Sequence, residues 1–241
     1  MKNGQESIFE LWVYLSASPL LWLTVTIGVF LVAQDLAKRS GFNPLVNPVL
    51  ISILVLAFIL KLTGTDYGVY FDGAQFVHFA LGPATVALAV PLYRNRAMIM
   101  QNILPIIAAL MAGATVAVVS AVGIASLFGA PHEILAAIAP KSVTAGIALG
   151  ITRQIGGDPA LTAVLVTATG VLGSIIVTPL MNLLRIKDYA ARGFAAGLTA
   201  HGIGTARAFQ VNDVAGTFAG LAMALTGLVT AFIAPLVVSL F

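Results

Sequence analysis

The sequence contains no cysteine and very few charged residues. Only 9% of its 241 residues are Asp, Glu, Lys or Arg, whereas 59% are hydrophobic. Ordinary soluble domains have about 25% charged residues, so this composition excludes a conventional soluble domain and predicts an integral membrane protein. The three histidines are scattered, and without cysteine they form no recognisable metal-binding set. No metal and no cofactor are therefore predicted.

Carboxylates are missing from the middle of every hydrophobic stretch. An Asp pair at mid-membrane, of the kind that binds Na⁺ or H⁺ in antiporters, would lie there, so its absence argues against a cation exchanger. The net charge is +3, but the Lys and Arg residues are scattered at segment ends rather than clustered on one soluble face. We interpret them as topology signals and candidate site residues, and predict no nucleic-acid partner.

Long uncharged stretches predict the membrane segments. Six of them reach the roughly 18 to 20 apolar residues needed to cross a hydrocarbon core about 30 Å thick. Two further apolar segments, Ile134–Ile155 and Tyr189–Phe209, are interrupted by charged residues. We predict an all-α, polytopic, transporter-like membrane protein of about eight segments, some of them broken or re-entrant, forming a single domain over residues 1–241 without a separate soluble domain. The six uninterrupted stretches are Leu11–Gln34, Ser40–Leu60, Gly73–Tyr93, Ala97–Pro131, Ala160–Leu184 and Val214–Phe241.

The short loops indicate orientation only up to residue 131. The N-terminus lacks the features of a cleaved signal peptide, so the first hydrophobic run is expected to remain as a membrane helix. A basic pair follows that run and an acidic loop follows the second, which places the first loop inside and the second outside. Beyond residue 131 two arrangements are open: Ile134–Ile155 crosses the membrane, or it is re-entrant. In both it lies away from lipid, because irregular backbone at membrane depth must be buried in protein or line a watery cavity.

A weak internal repeat accompanies the interrupted segments. Pro83-Ala-Thr85-Val86 resembles Pro140-Lys-Ser142-Val143 about 57 residues later, and a looser third unit begins at Gly197. Repeated discontinuous helices in a small membrane protein indicate a transporter whose site lies where the repeats meet.

Lys141 and Arg207 are the cations of greatest interest within the interrupted segments. Placing Lys or Arg at mid-bilayer costs roughly 2.5 to 3.5 kcal/mol, so such residues usually face a cavity or a partner. Snorkelling to the membrane surface is the alternative, and for Arg207 both interpretations are open. Ser142 beside Lys141 is too common a pair to indicate an intramembrane hydrolase, and no enzymatic activity is predicted.

His201 lies in the sequence Thr199-Ala-His-Gly202-Ile-Gly204-Thr205. The simpler interpretation is a hydrogen-bonded packing residue. The neighbouring glycines instead favour a site, because they let the backbone leave helical geometry and approach a ligand closely. A helix that restarts after such a break directs free amide groups and its positive dipole end at the gap, which suits an anion.

Four motifs together resemble the LrgB/CidB family of bacterial membrane proteins, to which the C-terminal part of the plant plastid glycolate/glycerate translocator also belongs. The resemblance covers nearly the whole chain from about residue 20. In the family, PKSVT is usually followed by Thr-Pro, whereas this chain has Ala145-Gly146, which puts a shared substrate preference in doubt. The motifs are PATV at 83–86, PKSVT at 140–144, RQIGG at 153–157 and AHGIGTARA at 200–208.

The resemblance implies two competing functions. Family members resemble transporters of small monocarboxylates such as glycolate, glycerate or pyruvate. The alternative is a holin-like or antiholin-like protein that modulates murein hydrolase activity and cell lysis. The resemblance also implies a multi-pass protein of the bacterial inner membrane, a small LrgA/CidA-type membrane partner and a homo-oligomer.

The residues themselves favour transport, since a holin needs no buried Lys, His or Arg beside glycine breaks. We expect one small carboxylate to bind at discontinuous helices, with Lys141 and Arg207 offsetting its charge. His201 would bind it or carry a coupled proton, because the unperturbed imidazole pKa is near neutrality. Rocking and elevator motions are both compatible with this prediction. The remaining predicted site residues are the hydroxyl donors Ser142, Thr144, Thr199, Thr205 and Thr85, and the break residues Pro83, Gly202 and Gly204.

Overall fold

The computed structural model describes residues 18–241, which form helices and, within that range, no strands. The predicted all-α fold is confirmed. The chain divides into two compact units, one ending at Ala87 and the other spanning Leu88–Phe241. The helices are α1 Pro19–Arg39, α2 Pro48–Thr63, α3 Tyr67–Phe79, α4 Leu81–Ala87, α5 Ala89–Arg94, α6 Arg96–Gln101, α7 Ile103–Leu127, α8 His132–Ile138, α9 Ala145–Gln154, α10 Pro159–Leu183, α11 Tyr189–Val211 and α12 Asp213–Val238.

Five stretches of the described chain are long and apolar enough to cross a membrane, which supports a polytopic membrane protein. Each overlaps one of the six uninterrupted stretches predicted from sequence. The sixth, Ser40–Leu60, corresponds to α2, whose 16 residues extend for only about 24 Å. Residues 11–17 of the predicted first segment lie outside the described range. The five stretches are Pro19–Arg39, Tyr67–Arg94, Ile103–Leu127, Pro159–Leu183 and Asp213–Val238.

The first unit is built on the packing of α1 against α2 and α3. Trp22 of α1 is fully buried, and its ring meets the ring of Tyr70 edge-on at a centroid distance of 5.8 Å. Gly73 has no room for a side chain, because an added Cβ would lie 2.8 Å from the Cβ of Trp22. A small residue in α3 thus lets the two helices approach closely.

The second unit is organised around the long helices α10 and α12. The side chain of Asp158 accepts a hydrogen bond from the Ala160 amide at the start of α10, and that of Asn212 accepts one from the Val214 amide at the start of α12. These caps satisfy backbone donors that have no partner within the helix. With 25 and 26 residues, the two helices extend for about 37 to 39 Å. Each is long enough to cross a bilayer.

Helix α11 folds back on itself in its middle. The backbone leaves helical geometry at Ala200 (φ −120°, ψ 17°) and His201 (φ 40°, ψ −130°). Residues 196 and 208 would lie about 18 Å apart in a straight helix, yet Ala196 and Ala208 belong to one buried cluster. Gly204 also lies directly against the Ala196 carbonyl. We call this unit the α11 hairpin, with its first arm Tyr189–Thr199, its tip Ala200–His201 and its second arm Gly202–Val211.

The segment from α8 to α9 also turns back. The Thr162 hydroxyl of α10 donates to the Ala137 carbonyl at 3.0 Å, and it lies 2.9 Å from the hydroxyl of Thr152 near the end of α9. Ala137 and Thr152 are therefore neighbours at Thr162 of α10. The chain between them extends away from Thr162 and then turns back to it. The structure thus has the re-entrant alternative for Ile134–Ile155 and not a single crossing. We call the irregular stretch Pro140–Thr144 the PKSVT turn.

The first and second units of the predicted repeat have different backbones, whereas the second and third units are each a broken segment followed by a long helix, α10 and α12 respectively. Pro83-Ala-Thr85-Val86 lies within helix α4, whereas Pro140-Lys-Ser142-Val143 forms a turn. The resemblance between the two stretches reflects similar composition rather than similar backbone.

Glycines allow the first arm of the α11 hairpin to pack tightly on α12. A Cβ added to Gly193 or Gly197 would collide with the carbonyl of Ala215 or Ala219, respectively. The four residues form a small-xxx-small contact between helices, which lets backbones approach closely in a lipid environment. This contact fixes the hairpin against the first half of α12.

The fold-back of α11 predicts a short distance between its two arms. We expect spin labels at Ala191→Cys and Ala206→Cys, both exposed sites, to show strong dipolar broadening in continuous-wave electron paramagnetic resonance. A straight helix would separate these positions by about 22 Å. The control pair Leu104→Cys and Val119→Cys has the same spacing on the uninterrupted helix α7 and should show little broadening. Equal spectra from the two pairs would contradict the hairpin.

Candidate functional site

The tip of the α11 hairpin contacts the middle of α10. The Nε2 atom of His201 lies 3.0 Å from the Val166 carbonyl oxygen. Because a carbonyl only accepts, Nε2 carries the proton and Nδ1 is left as the acceptor of the neutral ring. A Cβ on Gly170 would lie 2.6 Å from Cε1 of His201, and a Cβ on Gly173 would lie 2.7 Å from the Cβ of Ala200. Two glycines of α10 thus make room for the tip.

The first turn of α9 reaches the same part of α10. A four-residue loop joins α9 to α10, as is typical of antiparallel neighbours, and Thr152 pairs with Thr162 close to that loop. One turn further, Ala148 and Val166 are buried in one cluster. The start of α9 at Ala145 is one further turn along this antiparallel pair.

The same two elements also meet on α12. Thr205 and Gly202, in the second arm of the α11 hairpin, both lie beside the Met223 sulfur, at 3.8 Å from the Thr205 hydroxyl. Ile147, in the first turn of α9, lies against Gly227, where an added Cβ would be 2.7 Å from its Cδ1. Met223 and Gly227 are one helical turn apart near the middle of α12. The two interrupted segments therefore converge on the centre of the second unit.

They approach this centre from opposite ends. Thr162 near the start of α10 contacts Ala137, before the PKSVT turn, whereas Asn182 near the end of α10 accepts a hydrogen bond from Arg192 in the first arm of the α11 hairpin. On α12 the order is reversed: the α11 hairpin packs on the first half and α8 on the last turns. Two oppositely directed broken segments thus meet halfway along a pair of membrane-length helices.

The backbone of His201 is strained. Its φ of 40° lies in the left-handed region, which is uncommon for residues other than glycine. Such a conformation costs on the order of 1 to 3 kcal/mol and persists where the surrounding structure enforces it, often at functional sites. The side chain is nevertheless buried, with 6% of its surface exposed. The break lies one residue before the predicted Gly202, on the histidine itself.

Lys141, Ser142 and Thr144 lie together in the PKSVT turn. The half-buried Lys141 ammonium donates to the Ser142 hydroxyl at 3.3 Å, and the neighbouring Val143 is fully buried and anchors the turn. Thr144 is the N-cap residue of α9, but its side chain makes no capping hydrogen bond. The first amides of α9 therefore donate no hydrogen bond to the side chain of their N-cap residue, and Ala145 at this end is exposed.

The hydroxyl and glycine residues of the α11 hairpin take different positions. Thr205 is buried and donates to the His201 carbonyl at 2.8 Å, which supports the tip. Gly204 provides the close contact between the arms. Thr199 is exposed, donates to the Ala195 carbonyl and lines a separate groove of about 700 Å³ between α7 and the first arm. The structure thus brings Thr205, but not Thr199, into the central contact.

Besides Thr199, three predicted site residues lie away from this centre or outside its unit. Arg207 lines a small cavity together with Arg192. This cavity lies between the two arms of the α11 hairpin, away from its tip. Pro83 is exposed in helix α4 of the first unit. Thr85 is in the same helix, and its side chain lies outside the described part of the chain.

Thr226 is a candidate that the sequence interpretation missed. It follows Met223 by one turn on the face of α12 that contacts the α11 hairpin, and its neighbour Gly227 contacts Ile147. Its side chain is 1% exposed, and its hydroxyl has no hydrogen-bond partner among residues 18–241. Its sequence signal is a Thr-Gly pair halfway along an uncharged segment, whereas the prediction concentrated on interrupted segments.

The unpaired hydroxyl predicts that Thr226→Val raises the thermal unfolding midpoint of the purified protein. Burying a polar group without a partner costs about 1 to 3 kcal/mol, which corresponds to about 2 to 12 °C in a chain of this size. The matched control is Thr217→Val, because the Thr217 hydroxyl donates to the Asp213 carbonyl at 2.8 Å. The control should lower the midpoint. A similar fall in both variants would show that Thr226 is hydrogen-bonded.

Comparison with known proteins identifies the family. The model of the LrgB-like family matches residues 26–240. The holin-like protein CidB of Staphylococcus aureus (strain Mu50) is 29% identical over 222 residues, which cover 92% of this chain and 96% of CidB. No solved structure matches the chain.

Two relatives come from Bacillus subtilis (strain 168). The uncharacterized protein YxaC is 32% identical over 92% of this chain, and the uncharacterized protein YwbG is 34% identical over 90% of it; 96% of each relative is covered. The family predicted from the PKSVT and AHGIGTARA motifs is confirmed. Because the family model matches residues 26–240 of the 241-residue chain, this multi-pass membrane protein belongs to the LrgB-like family.

Proposed function

We propose that the protein carries small monocarboxylate anions, such as glycolate, glycerate or pyruvate, across a bacterial inner membrane. The observation that carries the proposal is the meeting of two oppositely directed broken segments halfway along α10 and α12. In many transporters, substrates bind near the bilayer midplane at such discontinuous helices. Because α10 and α12 are each long enough to cross the bilayer, their middles would lie near its midplane. The proposal includes no chemical reaction on the cargo.

The electrostatics of the meeting point suit an anion. Helix α9 begins there at Ala145, and the second arm of the α11 hairpin begins there at Gly202. The N-terminal ends of helices present free amide groups and a positive partial charge, so both would attract a carboxylate. The Lys141 ammonium would balance its charge, and the Ser142 and Thr226 hydroxyls could donate hydrogen bonds to it. We leave Arg207 out of this site because it lines a different cavity.

His201 would act in one of two ways in this carrier. The Nε2–H group of His201 donates a hydrogen bond to the Val166 carbonyl. Nδ1 is therefore the atom that would accept a hydrogen bond from a cargo hydroxyl or take up a coupled proton. Alternating access would move one part of the protein relative to the rest, by rocking or by an elevator motion. Both are compatible with a site held between two hairpin tips.

A second candidate is a holin-like function in murein hydrolase regulation and cell lysis. It is favoured by the name of the CidB relatives, holin-like protein, which supports this function more directly than it supports carriage. A small LrgA/CidA-type membrane protein would be the partner in either function, and a homo-oligomer is expected. The strained, buried histidine between two broken segments favours the carrier, because a membrane lesion does not require it.

Uptake by proteoliposomes tests the proposal. We expect the purified protein to give saturable uptake of labelled glycolate or pyruvate. Lys141→Ala and His201→Ala should lower kcat/KM by about 10- to 100-fold, since hydrogen bonds to charged groups contribute about 1.5 to 3 kcal/mol. Lys61→Ala and His132→Ala remove the same side chains at exposed positions and should leave uptake unchanged.

A dye-release assay on the same vesicles separates the two candidates. A carrier should leave an encapsulated fluorescent dye inside. Release of the dye without saturable uptake, unaffected by the Lys141 and His201 variants, would support the holin-like function and refute the carrier.

A further inference from the structure

The two arginines of α11 meet at one small cavity. Arg192 in the first arm of the α11 hairpin and Arg207 in the second are 15 positions apart, yet both line it. The fold-back at the tip brings the two arginines together. The cavity lies between the arms, away from His201 at the tip. Two cations that share a cavity repel each other unless an anion lies between them.

Carboxylates of the described chain do not neutralise this pair. In residues 18–241, no carboxylate oxygen lies within 4.0 Å of either guanidinium group. The ion pair in this part of the chain joins Arg39 to Asp35. Asp188, one turn before Arg192, instead accepts a hydrogen bond from a backbone amide at the start of α11. Neither positive charge is therefore in a direct ion pair within residues 18–241.

The hydrogen bonds of the two arginines are also incomplete. Arg192 donates to the Asn182 side-chain oxygen at 2.8 Å and, at 3.4 Å, to the Thr178 and Ile186 carbonyls, all of which are neutral acceptors. Arg207 donates from Nη1 to the Gln210 side chain at 3.3 Å. Its Nε is buried and has no partner among the described residues. Contacts with Asn182 and with the Thr178 and Ile186 carbonyls explain the placement of Arg192, but the Arg207 Nε has no such contact.

The size of the cavity limits what can bind. Its volume is about 20 Å³, room for about one water-sized group. An organic molecule does not fit, but one oxygen atom of a larger oxyanion does. Tyr189 and Thr178 lie at the cavity together with apolar residues, and Arg192 and Arg207 are the charged residues among those that line it.

We propose that Arg192 and Arg207 form a second anion site, distinct from the carboxylate site, that takes one oxygen of a phosphate group. Arginine guanidinium groups match phosphate geometry and bind it through strong charge-assisted hydrogen bonds. Two further exposed cations, Arg185 and Lys187, lie in the loop just before α11. Such basic pockets between helices at a membrane surface bind anionic lipid head groups, and free phosphate shares the same chemistry.

Thermal unfolding of the purified full-length protein tests the site. We expect phosphatidylglycerol to raise the unfolding midpoint by about 3 to 6 °C over phosphatidylcholine, because a ligand that binds only the folded state stabilises it. The Arg192→Gln/Arg207→Gln variant should lose this shift. Arg153→Gln removes an exposed arginine at the end of α9 and should retain it. Addition of inorganic phosphate identifies the source: a shift with phosphate alone assigns the site to free phosphate, and a shift with phosphatidylglycerol alone assigns it to lipid.

A second double variant, with Lys at both positions, keeps the test valid if the Gln double variant does not fold. Arg192→Lys/Arg207→Lys keeps both charges but removes the guanidinium geometry, so it should fold and show a reduced shift. The proposal is wrong if neither phosphatidylglycerol nor phosphate shifts the wild-type midpoint, or if the Gln and Lys variants keep the full shift. None of these outcomes depends on uptake of carboxylates, so the carrier proposal is tested separately.

Discussion

The fold of the second unit depends on one constraint: the helix break at Ala200 and His201 must be enclosed by protein. In a bilayer there is no water to satisfy backbone groups that leave a helix, so such a break is tolerated only inside the protein or beside a watery cavity. The surrounding sequence provides this enclosure with small residues. Gly170 and Gly173 of α10 make room for the tip, and Gly197 brings the first arm onto the backbone of α12.

The enclosure also has a cost in stability, which is most simply explained by function. His201 has a backbone conformation that favours glycine, yet it is a histidine with a buried ring. Thr226 buries a hydroxyl without a partner in the described chain. Glycine at the first position and valine at the second would each be expected to lower the free energy of the folded state. Both residues lie at or next to the place where the two broken segments meet, as expected for a site that needs their polar groups.

The sequence predicted much of this arrangement, because lipid imposes strong rules. Four of the six uninterrupted apolar stretches overlap the long helices α1, α7, α10 and α12, whereas the other two correspond to α2 and to the short helices α3 to α5. The two stretches with internal charge, Ile134–Ile155 and Tyr189–Phe209, are those that fold back. The position of the α11 break was wrong by one residue, because glycine permits a break while packing decides where it falls. Here the glycines of α10 accept the tip, and Gly204 serves the contact between the arms.

Other features could not be predicted from periodicity. Arg192 and Arg207 are far apart on a straight helix, and only the fold-back makes them neighbours. Thr226 looks like any threonine of a membrane helix, whose hydroxyl normally bonds a carbonyl one turn earlier. Whether the first unit contributes Pro83 or Thr85 to the carboxylate site stays a prediction.

The central claim, that a carboxylate binds between the PKSVT turn and the α11 hairpin tip, is tested most directly by site-specific thiol labelling in this cysteine-free chain. Ala145→Cys places a thiol at the exposed first residue of α9, and Gly150→Cys places one at an exposed position further along the same helix. The account predicts that glycolate or pyruvate slows maleimide labelling at position 145 in a saturable way, that the neutral amide of glycolate does not, and that labelling at position 150 is unchanged. Labelling at position 145 that is independent of carboxylate, or slowed equally at both positions, would contradict it.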